Sequence, residues 1–285
     1  VVYFDSESAI DPSFLERSGC DLERLIYVQA SSVEFVLETI EDILGAADDQ
    51  VVFIWDSLAF TPSVSDVEGD FNPQSSMAVK ARILAKGMSK LVIPLADKQA
   101  TFIVLNQLKT NIPQGPTARI VAMTTPYTTP GGKAMHYAYS LRIWLTGRKA
   151  KSAYIEDDKG FRIGSEVKVK LEKSRFGTQG RSCAFRILWG TEEIGIRDME
   201  SWFDAIKGSE CLTSAGAWYT LSMPDGYVKK FQPSKWTSII TTDEEFRNNV
   251  IKLMDEEIVM KFDKRQGDAS AFYEDQEDLT VPITD

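Results

Sequence analysis

The stretch Val51-Val52-Phe53-Ile54-Trp55-Asp56-Ser57 decides the fold, because an apolar run of strand length ends in an acid and a hydroxyl. An earlier stretch repeats the pattern: Val2-Tyr3-Phe4 is followed by Asp5-Ser6-Glu7. Short apolar runs of this kind predict buried strands of a parallel sheet. An open α/β sheet binds its ligand at the carboxyl ends of its strands. The two acidic strand ends are therefore predicted to meet in one site.

A hydrophobic strand that ends in aspartate is one way to hold Mg²⁺ beside a nucleotide. The phosphate-binding loop that goes with it, G-x-x-x-x-G-K-[ST], does not occur in the 285 residues. The nearest candidate, Gly131-Gly132-Lys133, has Tyr127 at the first glycine and Ala134 at the hydroxyl position. Val1 lies inside a predicted strand, so we expect the loop to precede this chain. On that expectation the chain alone binds ATP weakly and is inactive.

The composition indicates an α/β protein without a membrane partner. The chain has 285 residues, 43% hydrophobic and 26% charged, enough for a large core and a small second domain. No run approaches the roughly 18 apolar residues of a membrane helix, and no secretory signal begins the chain. Three scattered cysteines and one histidine support neither a disulfide framework nor a zinc site. We expect a cytoplasmic protein with reduced thiols.

The charge is unevenly distributed. The net charge of −10 argues against nonspecific binding of nucleic acid if it were spread evenly. Residues 274–285 are acidic and poor in core-forming side chains, which predicts a disordered tail. Residues 142–186, by contrast, are rich in lysine and arginine. A locally basic surface is therefore compatible with the acidic total.

The first half alternates short apolar runs with amphipathic segments, the pattern of a parallel sheet flanked by helices. Ser32 opens a helix to Leu44 whose apolar residues share one face, and a second helix is predicted from about Ser75 to Leu95. Residues 108–132 are rich in proline and glycine, so we predict a long loop with little structure of its own, usually a functional feature. Strands are predicted near residues 1–5, 24–28, 50–55 and 100–105.

From Tyr137 an alternation of apolar and polar residues predicts antiparallel strands that extend the sheet. Past Gly190 a helix, a small strand and a final helix predict a small α+β domain. The predicted domains are 1–195 for the core, 196–263 for the small domain and 264–285 for the acidic tail. The antiparallel strands are predicted at 137–145, 167–171 and 184–188, and the later elements at 198–207, 216–219 and 243–262.

Six motifs follow one another along the chain: Tyr3-Phe4-Asp5-Ser6-Glu7 with Asp11-Pro12, Asp56-Ser57, Leu105-Asn106-Gln107, Thr129-Pro130-Gly131-Gly132-Lys133-Ala134, Glu172-Lys173-Ser174-Arg175 and Ala215-Gly216-Ala217-Trp218-Tyr219. In this order they resemble the RecA-type recombinases, and several resemble the phage UvsX branch in particular. The resemblance covers nearly the whole chain. It implies a RecA-like P-loop ATPase core, with a mostly parallel sheet, an antiparallel extension and flanking helices, followed by a small α+β carboxyl-terminal domain.

The resemblance implies an ATP-dependent DNA recombinase with ATP and Mg²⁺ as cofactors. Such a protein forms a helical filament of identical subunits on single-stranded DNA, pairs it with homologous duplex DNA and exchanges strands. Hydrolysis then releases the DNA. Single-strand-binding and loader proteins are further implied partners, and DNA repair and the SOS response are the implied setting.

The phosphate end of the site falls on the two acidic strand ends. By resemblance Glu7 activates the water that attacks the γ-phosphate, and Asp56 organises Mg²⁺ through water, with Ser57 as a secondary polar contact. Two ordinary alternatives stay open at this point. In the first, Glu7 is a solvated carboxylate, and in the second, Asp56 is the N-cap of a helix that follows the strand.

The adenine end falls on two separate segments. By resemblance Asp11 meets the adenine amino group, Phe14 stacks on the base, and Trp189 before Gly190 is a second aromatic close to the base. Phe14 and Trp189 as plain core residues remain alternatives.

Three further residues are implied to act in hydrolysis and its control. Gln107 contacts the γ-phosphate and passes its presence to the loop that follows. Lys173 and Arg175 reach the ATP of a neighbouring subunit in the manner of arginine fingers, although as exposed charges they are unremarkable. A site completed by a second copy implies a head-to-tail filament.

The implied DNA-binding residues come from two loops and the start of the second long helix. Their cations supply charge, and their glycines let backbone N–H groups approach phosphates. For Arg82, the sequence is equally compatible with an ordinary solvated arginine on a helix. These residues are Met77, Arg82, Lys109, Arg119, Gly131, Gly132 and Lys133.

Two rival hypotheses assign the chain to other functional classes. In the first, it is a DNA-binding or filament-capping protein that does not hydrolyse ATP. In the second, it is a RecA-fold ATPase of another purpose, such as a helicase. Retention of the acids, Gln107 and the two cations argues against the first. The Gly131-Gly132 loop and the motif from Ala215 to Tyr219 argue against the second.

Overall fold

The computed structural model describes residues 1–69, 79–112, 115–116, 118–124, 127–147, 153–177, 179–190 and 194–259. Met77 and the predicted acidic tail lie outside these residues. The chain divides into two compact units, Val1–Tyr139 and Ser140–Asp285. Each unit is described by itself below, and the domain boundaries predicted after residues 195 and 263 stay predictions.

The first unit is built on a parallel sheet, as the apolar runs predict. Its four strands lie in the order β2-β1-β3-β4. Phe4, Phe53 and Trp55 are fully buried in its core, because alternate side chains of these strands face the helices. The strands are β1 (Val2–Asp5), β2 (Ile26–Gln29), β3 (Val52–Asp56) and β4 (Thr101–Val104).

The two long helices of the first unit cover the sheet with apolar stripes. The first of them begins where the sequence predicts, because the Ser32 side chain accepts a hydrogen bond from the Phe35 N–H. The long fourth helix contains Pro94 and buries Leu84, Met88 and Leu91. The helices are α1 (Pro12–Arg17), α2 (Val33–Ala46), α3 (Val64–Glu68) and α4 (Val79–Asp97).

The segment predicted as a loop with little structure is more ordered than its composition indicates. Its described part contains a helix, α5 (Ala118–Thr124), and a short antiparallel pair, β5 (Lys109–Thr110) with β6 (Tyr127–Thr128). A further helix, α6 (Gly132–Ala138), follows Gly131, whose φ of 104° favours glycine. The strand predicted from Tyr137 is therefore wrong in its first residues.

The second unit begins with an antiparallel sheet, which confirms the predicted change of strand pattern. Its strands follow the order β11-β10-β9-β7, with β8 also on β9. The pairings among the described residues keep this sheet separate from the parallel one, so its predicted role as an extension is not seen there. The strands are β7 (Leu141–Gly147), β8 (Tyr154–Glu156), β9 (Arg162–Ser174), β10 (Ser182–Leu188) and β11 (Gly195–Arg197).

The last part of the second unit packs three helices around a three-stranded meander. Phe231 lies at the centre of its aromatic core, with ring centroids 5.3 Å from Phe246 and 5.6 Å from Trp236. Gly216, predicted within a strand, is the hairpin turn with φ 61°. The elements are α7 (Asp198–Ile206), β12 (Leu212–Ala215), β13 (Trp218–Ser222), β14 (Val228–Phe231), α8 (Trp236–Thr242), α9 (Glu244–Met254) and a π-helical turn, Asp255–Val259.

Replacing Asp243 by alanine is expected to lower the free energy of unfolding of the second unit by about 1 kcal/mol at pH 7, because the N-cap is lost. Asp243 accepts hydrogen bonds from the Phe246 N–H at 2.9 Å and Lys229 Nζ at 3.0 Å. These bonds, led by that of Phe246, hold the pKa of Asp243 below its usual range. Its contribution is therefore fully present above the ordinary pKa of about 4 and is lost as the pH falls further.

Urea unfolding followed by tryptophan fluorescence at pH 7 and at pH 3 measures this difference. Glu244→Gln, an exposed change in the same helical turn, is the control and is expected to shift stability by less than about 0.5 kcal/mol. A difference for Asp243→Ala that stays constant across this pH range contradicts the assignment.

Candidate functional site

The two acidic strand ends lie side by side. In the parallel register of β1 and β3, Asp5 is opposite Asp56. Glu7 follows two residues after Asp5 and is exposed, and the Ser57 hydroxyl donates to its Oε1 at 2.9 Å. The other carboxylate oxygen of Glu7 has no hydrogen bond within the described ranges. The predicted meeting of these residues is thus present, and Ser57 contacts Glu7 directly.

Asp5 fixes the turn that carries Glu7. It is buried, with 2% of its surface exposed. Its Oδ1 accepts hydrogen bonds from the N–H groups of Glu7 and Ser8, both at 2.9 Å, and its Oδ2 accepts one from Tyr27 Oη at 3.1 Å. Burial, followed by the bond to Asp5, raises the pKa of the Tyr27 phenol. Three donors thus converge on this buried acid, and both of its oxygens are paired within the fold.

The Asp56 carboxylate bonds a tyrosine hydroxyl and does not cap a helix. Tyr3 Oη donates to its Oδ2 at 2.6 Å, and burial, followed by this bond, raises the pKa of Tyr3. The peptide bond between Asp56 and Ser57 is cis. A turn follows, and the next helix, α3, is capped by Ser63. The alternative that Asp56 caps a helix is therefore wrong.

Ser6 ties the two strand ends together. Its hydroxyl accepts a hydrogen bond from the Ser57 N–H at 2.8 Å and lies 3.0 Å from the Ser57 carbonyl oxygen. Its own N–H donates to the Asp56 carbonyl at 2.8 Å. The sequence motif contains this serine, but only the register shows that it bridges β1 and β3.

Lys80 anchors the segment that follows β3, a role for which the sequence gives no signal. Its Nζ donates to the carbonyl oxygens of Leu58 at 2.7 Å and Thr61 at 2.5 Å. Thr61 also accepts a hydrogen bond from Trp55 Nε1 at 2.8 Å. Burial lowers the pKa of Lys80, and the charge of Lys109 adds to this. This half-buried lysine satisfies carbonyl groups that no strand or helix pairs.

Gln107 is exposed beyond the end of β4, and its neighbour makes the connection to the next segment. Asn106 Nδ2 donates to the Pro130 carbonyl at 2.9 Å, and Asn106 Oδ1 accepts the Gln107 N–H at 2.9 Å. Pro130 directly precedes the two glycines of the motif. The structure thus links Gln107 to Gly131 and Gly132 through Asn106, which the sequence analysis names only as part of a motif.

The residues predicted for adenine lie on the two different units. Asp11 caps α1 and accepts hydrogen bonds from Ser13 Oγ and N–H, and the bond from the Ser13 side chain is the main reason why its pKa is lowered. Phe14 in the same helix is 41% exposed, and Trp189 is 42% exposed, so neither is a core residue. At Gly190 a Cβ atom would lie 2.9 Å from Ile163 Cα, which explains the glycine there.

The predicted DNA-binding cations of the first unit are exposed. Arg82 lies on α4, Lys109 on β5, Arg119 on α5 and Lys133 on the first turn of α6. Gly131 and Gly132 have φ angles of 104° and 74°, which residues with a Cβ atom rarely adopt. Met77 belongs to the part of the chain that is not described.

The two predicted trans-acting cations belong to a cluster of three in the second unit. Lys173 pairs with Arg142 across β9 and β7. The Arg175 N–H donates to the Ser140 carbonyl at 3.0 Å, which keeps it beside the same strand end. Burial lowers the pKa of Lys173, and the charges of Arg175 and Arg142 lower it further. Sequence reasoning missed Arg142, because strand register brings it to the cluster.

Two kinds of site are absent from the described residues. None of the helices there has the length and apolar character needed to cross a membrane. No group of three or more histidine, cysteine, aspartate or glutamate side chains there is arranged to hold a metal ion.

Known proteins match this chain over most of its length. The model of the RecA N-terminal domain family matches residues 1–195. Protein RecA of Fusobacterium nucleatum subsp. nucleatum is 30% identical over 222 residues, 77% of this chain and 54% of that protein. Protein RecA of Haemophilus ducreyi is 27% identical over 285 residues, 96% of this chain and 72% of that protein. Protein RecA of Clavibacter michiganensis subsp. michiganensis is 29% identical over 218 residues, 76% of this chain and 56% of that protein. The chain spans about half the length of the first and third of these relatives.

Replacing Lys80 by methionine is expected to lower the free energy of unfolding of the first unit by about 1 to 3 kcal/mol, because buried carbonyl groups lose a charged donor. The amide protons of Phe60 and Thr61, which bond the Ser57 carbonyl, should exchange faster. Hydrogen exchange and urea unfolding measure both effects. Lys86→Met, an exposed change on the same helix, is the control. Equal stability of the two variants would refute the anchoring role.

Proposed function

Because this chain belongs to the RecA family, we propose that it is an ATP-dependent DNA recombinase. It forms a helical filament of its own copies on single-stranded DNA and catalyses pairing with homologous duplex DNA and strand exchange. One observation carries the proposal: the register of β1 and β3 sets Glu7, Asp56 and Ser57 together at the ligand-binding edge of a parallel sheet.

The acidic strand ends fit the hydrolysis of ATP with Mg²⁺. Carboxylate and hydroxyl oxygens are the ligands that Mg²⁺ prefers, and the ion would neutralise charge on the phosphates. Asp56 would hold it through water. Glu7 would accept a proton from the attacking water at Oε2, since its Oε1 is already bound by Ser57. A fixed carboxylate of this kind can orient a water molecule in line with the leaving group.

The remaining contacts with the nucleotide come from residues whose exposure suits ligand binding. Asp11 would accept a hydrogen bond from the adenine amino group, and Phe14 would stack on the base. Trp189 and Gly190 would supply a second aromatic surface and a close backbone approach. Phe14 and Trp189 are both partly exposed, so each ring is accessible to a base.

DNA binding would use the exposed cations and glycines of the first unit. Arg82, Lys109, Arg119 and Lys133 would contact phosphates, with Met77 and the N–H groups near Gly131 and Gly132 beside them. Gln107 would sense the γ-phosphate and, through Asn106 and Pro130, bias the position of the glycine segment. The two ligands would then act on one element, which is what coupling between two sites requires.

Lys173 and Arg175 would complete the site of a neighbouring subunit. Lys173, Arg175 and Arg142 share one strand end, where burial and the charges of the two arginines lower the pKa of Lys173. We propose that the γ-phosphate of the neighbour's ATP is the anion that Lys173 and Arg175 contact. This arrangement would make hydrolysis depend on filament formation.

Some finer parts of the proposal rest on the sequence motifs. Several of these motifs favour the phage UvsX branch of the family. A cytoplasmic location, single-strand-binding and loader proteins as partners, and a role in DNA repair and the SOS response follow from the family alone.

Glu7→Gln is expected to lower DNA-stimulated ATP hydrolysis by about 10² to 10⁴-fold, because the amide does not accept the proton of the attacking water. ATP-dependent binding to single-stranded DNA should remain, since the phosphate contacts are unchanged. Both are measured in the complete natural protein, by phosphate release and by fluorescence anisotropy of labelled DNA. Glu38→Gln, an exposed change on α2, is the control. Hydrolysis at the unaltered rate by Glu7→Gln would exclude Glu7 as the base.

The double change Lys173→Ala with Arg175→Ala is expected to lower DNA-stimulated hydrolysis by about 10³-fold, as loss of an arginine finger does. Mixing this variant with Glu7→Gln should restore part of the activity, because one subunit then supplies an intact base and its neighbour intact cations. Lys159→Ala, at an exposed turn of the second unit, is the control. Mixtures no more active than their components would show that the cations do not act in trans.

A further inference from the structure

Two tyrosines and two aspartates form a repeated pattern across three adjacent strands. Tyr27 on β2 is opposite Tyr3 on β1, and two residues further along Asp5 on β1 is opposite Asp56 on β3. Each phenol reaches one strand across and two residues forward. Tyr27 Oη donates to Asp5 Oδ2 at 3.1 Å, and Tyr3 Oη donates to Asp56 Oδ2 at 2.6 Å. The same donor type therefore holds both acids.

The two acids differ in what remains free for a ligand. Asp5 has both oxygens occupied, because its Oδ1 accepts the N–H groups of Glu7 and Ser8. Asp56 has only Oδ2 occupied, and its Oδ1 has no hydrogen bond among the described residues. A carboxylate with one oxygen fixed and the other open presents that open oxygen in one orientation. This difference separates a structural acid from a ligand-binding one at the same sheet edge.

We propose that Tyr3 is a positioning residue for Asp56, whose hydroxyl fixes Oδ2 and thereby directs Oδ1 toward the divalent cation of the nucleotide. This inference rests on the proposed ATPase function. A hydrogen bond between a hydroxyl and a carboxylate is short and strong, and groups that orient a metal-binding side chain govern metal affinity. Tyr3 reaches this position because its side chain and that of Asp5 leave β1 on one face.

The inference predicts a specific kinetic effect. Without the phenol hydroxyl the Asp56 carboxylate can rotate, so more Mg²⁺ is needed to hold the productive arrangement. The Mg²⁺ concentration for half-maximal hydrolysis should rise about tenfold in Tyr3→Phe. The rate at saturating Mg²⁺ should change little, because Glu7 and Ser57 are untouched. A change that only loosened the fold would lower the rate at every Mg²⁺ concentration.

The first experiment needs no nucleotide or metal. Tyrosine labelled with ¹³C at Cζ reports the hydrogen bonding of each phenol by NMR, and sequential assignment identifies the signal of Tyr3. At pH 7, Asp56→Asn should shift this signal, because the phenol loses its charged acceptor, and should leave the signal of Tyr227 unchanged. Tyr227 is a suitable reference because it belongs to the other unit. A Tyr3 signal at the same position in both proteins overturns the inference.

The second experiment measures hydrolysis against Mg²⁺ concentration in the complete natural protein, for Tyr3→Phe and for Tyr227→Phe. Tyr227 is a half-buried phenol of the other unit. A tenfold rise for the first alone supports the inference, and equal curves overturn it. If the complete natural protein hydrolyses no ATP at any Mg²⁺ concentration, the proposed function fails, and the NMR comparison alone decides whether Tyr3 holds Asp56. The same comparison decides if Tyr3→Phe does not fold.

Discussion

The parallel register of β1 and β3 is the constraint on which the candidate site depends. It sets Asp5 opposite Asp56, and every contact around these acids follows from that alignment. The side chains of a strand alternate between its two faces, so a shift of one residue would turn Tyr3 and Asp5 away together. The register is fixed because the same shift would expose Phe4 and Trp55, which are fully buried in the core. Core packing thus determines the geometry of the site.

The sequence predicts the frame of the fold better than the contacts within the site. Apolar runs of strand length identify all four parallel strands, and Ser32 identifies the start of α2, because both signals are local. The bonds from Tyr3 to Asp56 and from Lys80 to Leu58 join residues 53 and 22 positions apart, and no local pattern encodes them. The acids themselves were predictable because a polar residue at a strand end is itself a local signal.

Two predictions in the middle of the chain are wrong because the elements there are short. Proline and glycine between residues 108 and 132 predict little structure, whereas α5 and the pair β5 and β6 lie there. The alternation near Tyr137 predicts a strand, although α6 continues to Ala138. A helix of seven residues offers two turns, too few for its period to be told from the alternation of a strand.

The full hydrogen bonding of Asp5 has a consequence for genetic studies of the protein. Asparagine at position 5 would remove the negative charge and would set its amide N–H₂ against an N–H group or a phenol that needs an acceptor. The substitution would therefore distort the turn that carries Glu7. Loss of activity at this position would then resemble loss of a ligand. Suppressor mutations separate the two cases, since second changes that stabilise the fold can restore function to a misshapen turn but cannot replace a missing ligand oxygen at Asp56.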